Sequence, residues 1–223
     1  MDQLACANGG IIAIDFSNPQ QPNIDSVSVS FEEYGYALIV LDTGSSHADL
    51  TDDYAAIPKE MRQVAGEMGE ENLGDCNRED FENNLTEIKK KVSDRAILRA
   101  LHFFSDNERV VRQKDSLSAG RIEEYLVLVR ASASSSWRLL QNAYSCKNPG
   151  EQGISLALAL SERFIEEECG SRGACRVHGG GFAGTIQVYL PLEKEEVYRD
   201  IMERIFGKDC IKRLRVRQKG ALC

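Results

Sequence analysis

Neither of the two best-known nucleotide-binding fingerprints occurs in this sequence. There is no Gly-x4-Gly-Lys-Ser/Thr run, which excludes a P-loop, and no Gly-x-Gly-x-x-Gly opens a helix after a first strand. Histidine is scarce: His47, His102 and His178 stand far apart, and the seven cysteines form no Cys-x-x-Cys pair. No zinc-type ligand set is therefore expected, and the odd, scattered thiols read as reduced. The longest uncharged apolar runs, such as 154–160, are far too short to span a bilayer, and no charged start leads into an apolar signal core. Net positive charge is also lacking. At −8 the charge disfavours a nucleic-acid role, since a binder needs a basic surface to displace counterions, and the basic cluster from Lys212 to Lys219 reads as an exposed tail. A soluble, cytoplasmic protein without a membrane partner is expected.

What the sequence does have is a glycine-rich bend between two β-like runs, Ala174 to Pro191. Gly179, Gly180, Gly181 and Gly184 remove Cβ atoms from four of six consecutive positions. Such a bend can take positive φ and admit another backbone or a phosphate close to its N–H groups. Alone, it reads equally as a hairpin connection.

The rest of the pattern alternates strands and helical blocks. Asp2 to Ala7 reads as a short helix with Asp2 as N-cap and Gly9-Gly10 as its stop. Strands are expected at 11–14, at 26–31 by strict alternation, and at 36–41, where a continuous apolar run indicates a central strand. A helix follows from Asp52, with Pro58 as a boundary or kink, and 66–76 reads as a flexible connection. Helical patterns cover 78–92, 94–117, 121–131, 137–144 and 152–168. The terminal unit is strand 174–177, glycine loop, strand 185–190, helix 193–206 and a short strand near Leu214. This alternation suits an α+β fold, a sheet covered on one face by helices.

Three collinear segments resemble a known family. Arg176-Val-His-Gly-Gly-Gly-Phe-Ala-Gly184 is similar to the third motif of the GHMP small-molecule kinases, with His178 where Thr is usual and Ala183 where Gly is usual. Met1-Asp2-Gln3 resembles the Met-Asp-Gln segment of galactokinases. Asp42-Thr43-Gly44, His47 and Asp53-Tyr54 resemble their Asp-Thr-Gly…His…Glu-Tyr-Asn run. The resemblance implies a ferredoxin-like GHMP kinase C-terminal domain with a mixed sheet covered by helices. It divides residues 1–223 into a strand-rich junction with an N-terminal domain (1–45), then a helical block with the ferredoxin-like unit (46–223).

The resemblance also implies chemistry. ATP-dependent phosphorylation of a sugar hydroxyl needs in-line positioning, Mg2+, donors around the phosphates and a group to orient the attacking hydroxyl. Asp2 takes that last, catalytic role. Tyr54, Gln3 and Asp42 become sugar-binding candidates, a phenol being suited to bond a sugar hydroxyl while its ring packs on the pyranose face. Gly179, Gly180, Gly181, Phe182 and Gly184 become a packing surface for the phosphate loop. Read without the family, Asp42 and Thr43 shape a turn, Tyr54 is a half-buried helix tyrosine, and His47 and His102 are core or turn hydrogen-bonders.

Two family motifs do not occur: the Arg-x-Asn-Leu-x-Gly-Glu-His-type sugar segment and the Pro-x3-Gly-Leu-Ser-Ser-Ser-Ala phosphate loop. The chain is accordingly expected to be the C-terminal portion of a longer kinase and inactive alone, most Mg2+ ligands lying in the N-terminal half. Ala55-Ala-Ile-Pro58 replaces the galactokinase Asn-x-Arg-Arg, and Ala133 stands in place of a histidine. These departures leave open a different sugar, or a galactokinase-like sensor that binds sugar and nucleotide without turnover.

Overall fold

The structure, a computed structural model, describes residues 2–18, 20–45 and 50–220, Asp2 by its backbone only. Gly9 and Gly10, both at positive φ, stop the first helix, α1 (Asp2–Asn8), and turn the chain into an antiparallel hairpin of β1 (Ile11–Asp15) and β2 (Asn23–Val27). The strand expected at 26–31 is therefore displaced toward the N-terminus. Its alternation does continue, since Val27, Val29 and Phe31 are all buried. The pairing ends at Ile11 opposite Val27, however, so the later residues have no neighbouring strand to bond.

The central strand, β3 (Tyr36–Asp42), is followed by a helical block. It comprises α2 (Thr51–Glu67), α3 (Arg78–Asn83), α4 (Leu85–Lys89), α5 (Asp94–Ser118) and α6 (Ile122–Ser135). Apolar residues at helical spacing in α2 (Met61, Val64, Ala65) face Ile97, Ala100 and Phe104 of α5 in a separate core. Pro58 neither starts nor ends α2 but lies inside it, where its missing N–H takes one rung out of the helical ladder. The segment 66–76 is less loose than expected. α2 runs to Glu67, and Leu73 is buried in the same core. The pattern at 78–92 divides at Asn84, whose side-chain amide donates to the Asp80 carbonyl at 2.8 Å and closes α3. The helix expected at 137–144 is also interrupted: α6 ends in a π-type turn, Ser136–Leu140, and Gln141 takes a left-handed φ of 59°.

After α7 (Gly153–Cys169) the chain forms β4 (Ala174–Val177), β5 (Thr185–Pro191), α8 (Glu195–Phe206) and β6 (Ile211–Leu214). The sheet order is β4-β5-β3-β6. Taken as β3, α7, β4, β5, α8, β6, this is the split β-α-β-β-α-β arrangement of ferredoxin-like folds, with α2 to α6 inserted after the first strand. Every pairing is antiparallel, so the sheet is not mixed. Helices cover both faces rather than one. Ala37, Ile39, Leu41, Ile186, Val188 and Leu190 meet α7 and α8, whereas Tyr36, Leu38 and Tyr189 meet Leu126 and Val129 of α6. The period of two sends alternate side chains to opposite sides, and the near-continuous apolar run of β3 follows from both sides being buried.

Candidate functional site

The bend between β4 and β5 is built by this chain's own contacts. The strands part after Val177 opposite Ile186, and His178 closes the turn by donating its N–H to the Thr185 carbonyl at 3.1 Å. His178, Gly179 and Gly180 are exposed, while 181–184 are buried. Gly181 has φ +86°, and a Cβ there would stand 2.2 Å from the Asn142 carbonyl oxygen. A Cβ on Gly180 would meet the Tyr54 ring at 2.7 Å. These two positions exclude side chains because Asn142 and Tyr54 already occupy the space. Gly179, at φ +74°, has nothing within 4 Å of such a Cβ and leaves room for an approaching surface.

Tyr54, on the first turns of α2, donates its hydroxyl to the Gly181 carbonyl at 2.8 Å. Its ring stacks edge-on against Phe182, with centroids 5.3 Å apart and an 87° interplanar angle. Burial raises the Tyr54 pKa. Phe182 holds φ +62°, costly for an aromatic residue, and is retained in a small cluster with Leu50, Ala183, Tyr54 and Ile57. Two distant sequence segments identified separately, Tyr54 and the glycine bend, are thus in direct contact.

Thr43, at the end of β3, grips the same bend. Its N–H and hydroxyl both donate to the Gly184 carbonyl, at 2.9 and 2.7 Å. Asp42 is exposed and accepts the Gly44 N–H at 2.9 Å, so its carboxylate shapes the turn after β3. Gln3 is exposed on α1, beside β1. The side chain of Asp2 and residue His47 lie outside the described residues.

Sequence reasoning missed Asn142. Its backbone carbonyl accepts the Phe182 N–H at 2.6 Å, and its amide donates to the Gly180 carbonyl at 3.1 Å. The Ser136 hydroxyl donates to the other end of that amide at 2.6 Å. No sequence signal marks this residue, because the preceding left-handed position is Gln141 rather than the Gly or Asn that would flag a turn. Behind it, Arg99 donates to the Leu140 carbonyl at 3.1 Å and to Glu60 at 2.9 Å. Burial lowers the Arg99 pKa, and the Glu60 carboxylate, which also binds Arg95, opposes that shift. His102 is buried with Nδ1 2.9 Å from the Ser135 hydroxyl, and burial lowers its pKa despite Asp106 nearby. It is a core hydrogen-bonder, as its sequence context indicated.

Among the described residues, no group of three His, Cys, Asp or Glu side chains is placed to hold a metal ion. No helix among them is long and apolar enough to cross a membrane.

No family model matches the chain. It is 26% identical to a galactokinase of Glaesserella parasuis serovar 5 (strain SH0165) over 174 residues, 78% of this chain and 42% of the relative. It is also 26% identical to a galactokinase of Actinobacillus pleuropneumoniae over 208 residues, 93% of this chain and 50% of the relative. Among solved structures, Lactococcus lactis galactokinase complexed with galactose superposes with a TM-score of 0.72 at 17% identity, covering 97% of this chain and 54% of that one. L. major mevalonate kinase in complex with R-mevalonate gives 0.51 at 11% identity, covering 99% and 53%. The chain spans about half the length of the curated relatives it matches. It shares the fold of these two kinases and is similar in sequence to galactokinases over about half of their length.

Proposed function

We propose that this chain is the C-terminal portion of an ATP-dependent, galactokinase-like sugar kinase that phosphorylates the anomeric hydroxyl of galactose or a related sugar. The contact between Tyr54 and Gly181 carries the reading, since it joins two of the three galactokinase-like segments at one place. Asp2 orients the attacking hydroxyl as its hydrogen-bond acceptor. Tyr54, Gln3 and Asp42 are assigned to the sugar. The bend at Gly179 to Gly184 is assigned to packing against the phosphate loop of an N-terminal half, with Gly179 as the open point of approach.

In this reading most of the Mg2+ ligands belong to the other half. A cytoplasmic location belongs to the same proposal. The second reading, a sugar and nucleotide sensor without turnover, is favoured by Ala55-Ala-Ile-Pro58, which offers no amide or guanidinium where galactokinases have Asn-x-Arg-Arg. A sugar panel assayed with ATP on the protein carrying both halves decides between them. Phosphorylation of galactose or a close relative is expected. Sugar and nucleotide binding without product would leave the sensor, and binding of neither would remove both.

A further inference from the structure

We infer that Asn142 is a positioning residue that fixes the glycine bend and, through it, the hydroxyl of Tyr54. The inference rests on the proposed role of Tyr54 at the sugar. Asn142 is 4% exposed and Ser136 is 2% exposed, and all the polar atoms involved are paired. The Ser136 hydroxyl donates to Asn142 Oδ1, and the Gly180 carbonyl, which can only accept, settles which end of the amide carries the NH2 group. That NH2 group then faces the Gly180 carbonyl, while the Asn142 carbonyl takes the Phe182 N–H. One residue thereby holds the bend on both sides of Gly181. The Gly181 carbonyl, lying between the two anchors, receives the Tyr54 proton. The position of that carbonyl sets where the phenol oxygen stands.

The clamp continues into the helical block. Asn142 is delivered by the π-type turn at the end of α6, and the Leu140 carbonyl of that turn is held by Arg99, itself paired with Glu60 of α2. Tyr54 lies on the same helix α2. The phenol is therefore fixed at its backbone by α2 and at its hydroxyl by the bend, two supports tied together through Arg99 and Asn142.

The test uses Asn142→Asp, which keeps the size and the backbone carbonyl but replaces the donor to Gly180 by a carboxylate oxygen. Ser136→Ala is the milder companion, should the first variant fold poorly. Amide exchange in the 223-residue chain should rise about tenfold at 180–182, the worth of one lost hydrogen bond, with α5 unchanged. In the protein carrying both halves, KM for the sugar should rise more than kcat falls, and the KM effect should disappear in a Tyr54→Phe background because both changes act on one hydroxyl. Unchanged exchange at 180–182, or a drop in melting temperature with KM intact, would overturn the inference. If no sugar is phosphorylated at all, the kinase reading falls, and exchange still decides whether Asn142 holds the bend.

Discussion

Gly179 and Gly181 separate two costs that positive φ usually confounds. Both are left-handed, but only Gly181 has an oxygen, that of Asn142, where a Cβ would stand. Gly179→Ala should therefore cost only the conformational penalty of an L-residue, about 1–2 kcal/mol. Gly181→Ala should cost clearly more, because the Phe182 N–H to Asn142 bond must lengthen to admit the methyl. Gly181→Val should abolish activity in the protein carrying both halves. Thermal unfolding of the two alanine variants checks the first claim: equal shifts would mean that the bend yields freely and that its fit to Asn142 has no energetic weight. The sequence displayed the glycines but not this difference. Their identity advertises freedom at every position, whereas the need for it depends on a neighbour 39 residues away in the chain.

The helices were legible where their faces were regular. α5 and α7 fall within a residue or two of the expected limits, since Ser93 caps the one at its start and Gly170 at φ 57° closes the other. The limits failed where a side chain or a partner strand, rather than periodicity, decided them: at Asn84, at the π-type turn and at the end of β2. The ion pairs between α2 and α5 were not legible at all, because Glu60 meets Arg95 and Arg99 some 35 to 39 residues further on. Arg99 has a side chain only 2% exposed, against 42% for Arg95. Glu60→Gln leaves the buried guanidinium without its counter-charge and should cost about 3 kcal/mol, a fall in melting temperature of roughly 6–12 °C for a chain of this size. Arg95→Gln, which removes the solvated partner, should cost under about 1 kcal/mol. Equal losses in the two variants would show that burial does not set the worth of this pair.

In the molecule as a whole, the ferredoxin-like order β4-β5-β3-β6 was beyond local pattern. β3 is separated from its sheet partners by the whole block α2 to α6, and periodicity names a strand's faces without naming its neighbours. The family-like segments were legible because each is a short string, and the fold then brings Tyr54 and Thr43 onto the glycine bend without any one string indicating the contact. In the proposed reading the result is half of a cleft. The bend presents one open approach at Gly179, and in that reading the phosphate loop and most Mg2+ ligands lie in the other half. The 223-residue chain alone is accordingly expected to bind ATP with magnesium no more tightly than about 1 mM, or about −4 kcal/mol, and to consume none in the presence of galactose. Titration calorimetry and a coupled ADP assay measure the two quantities. Micromolar binding, or turnover above the uncatalysed rate, would mean that the chain carries a phosphate site of its own and that the division of labour between two halves is wrong.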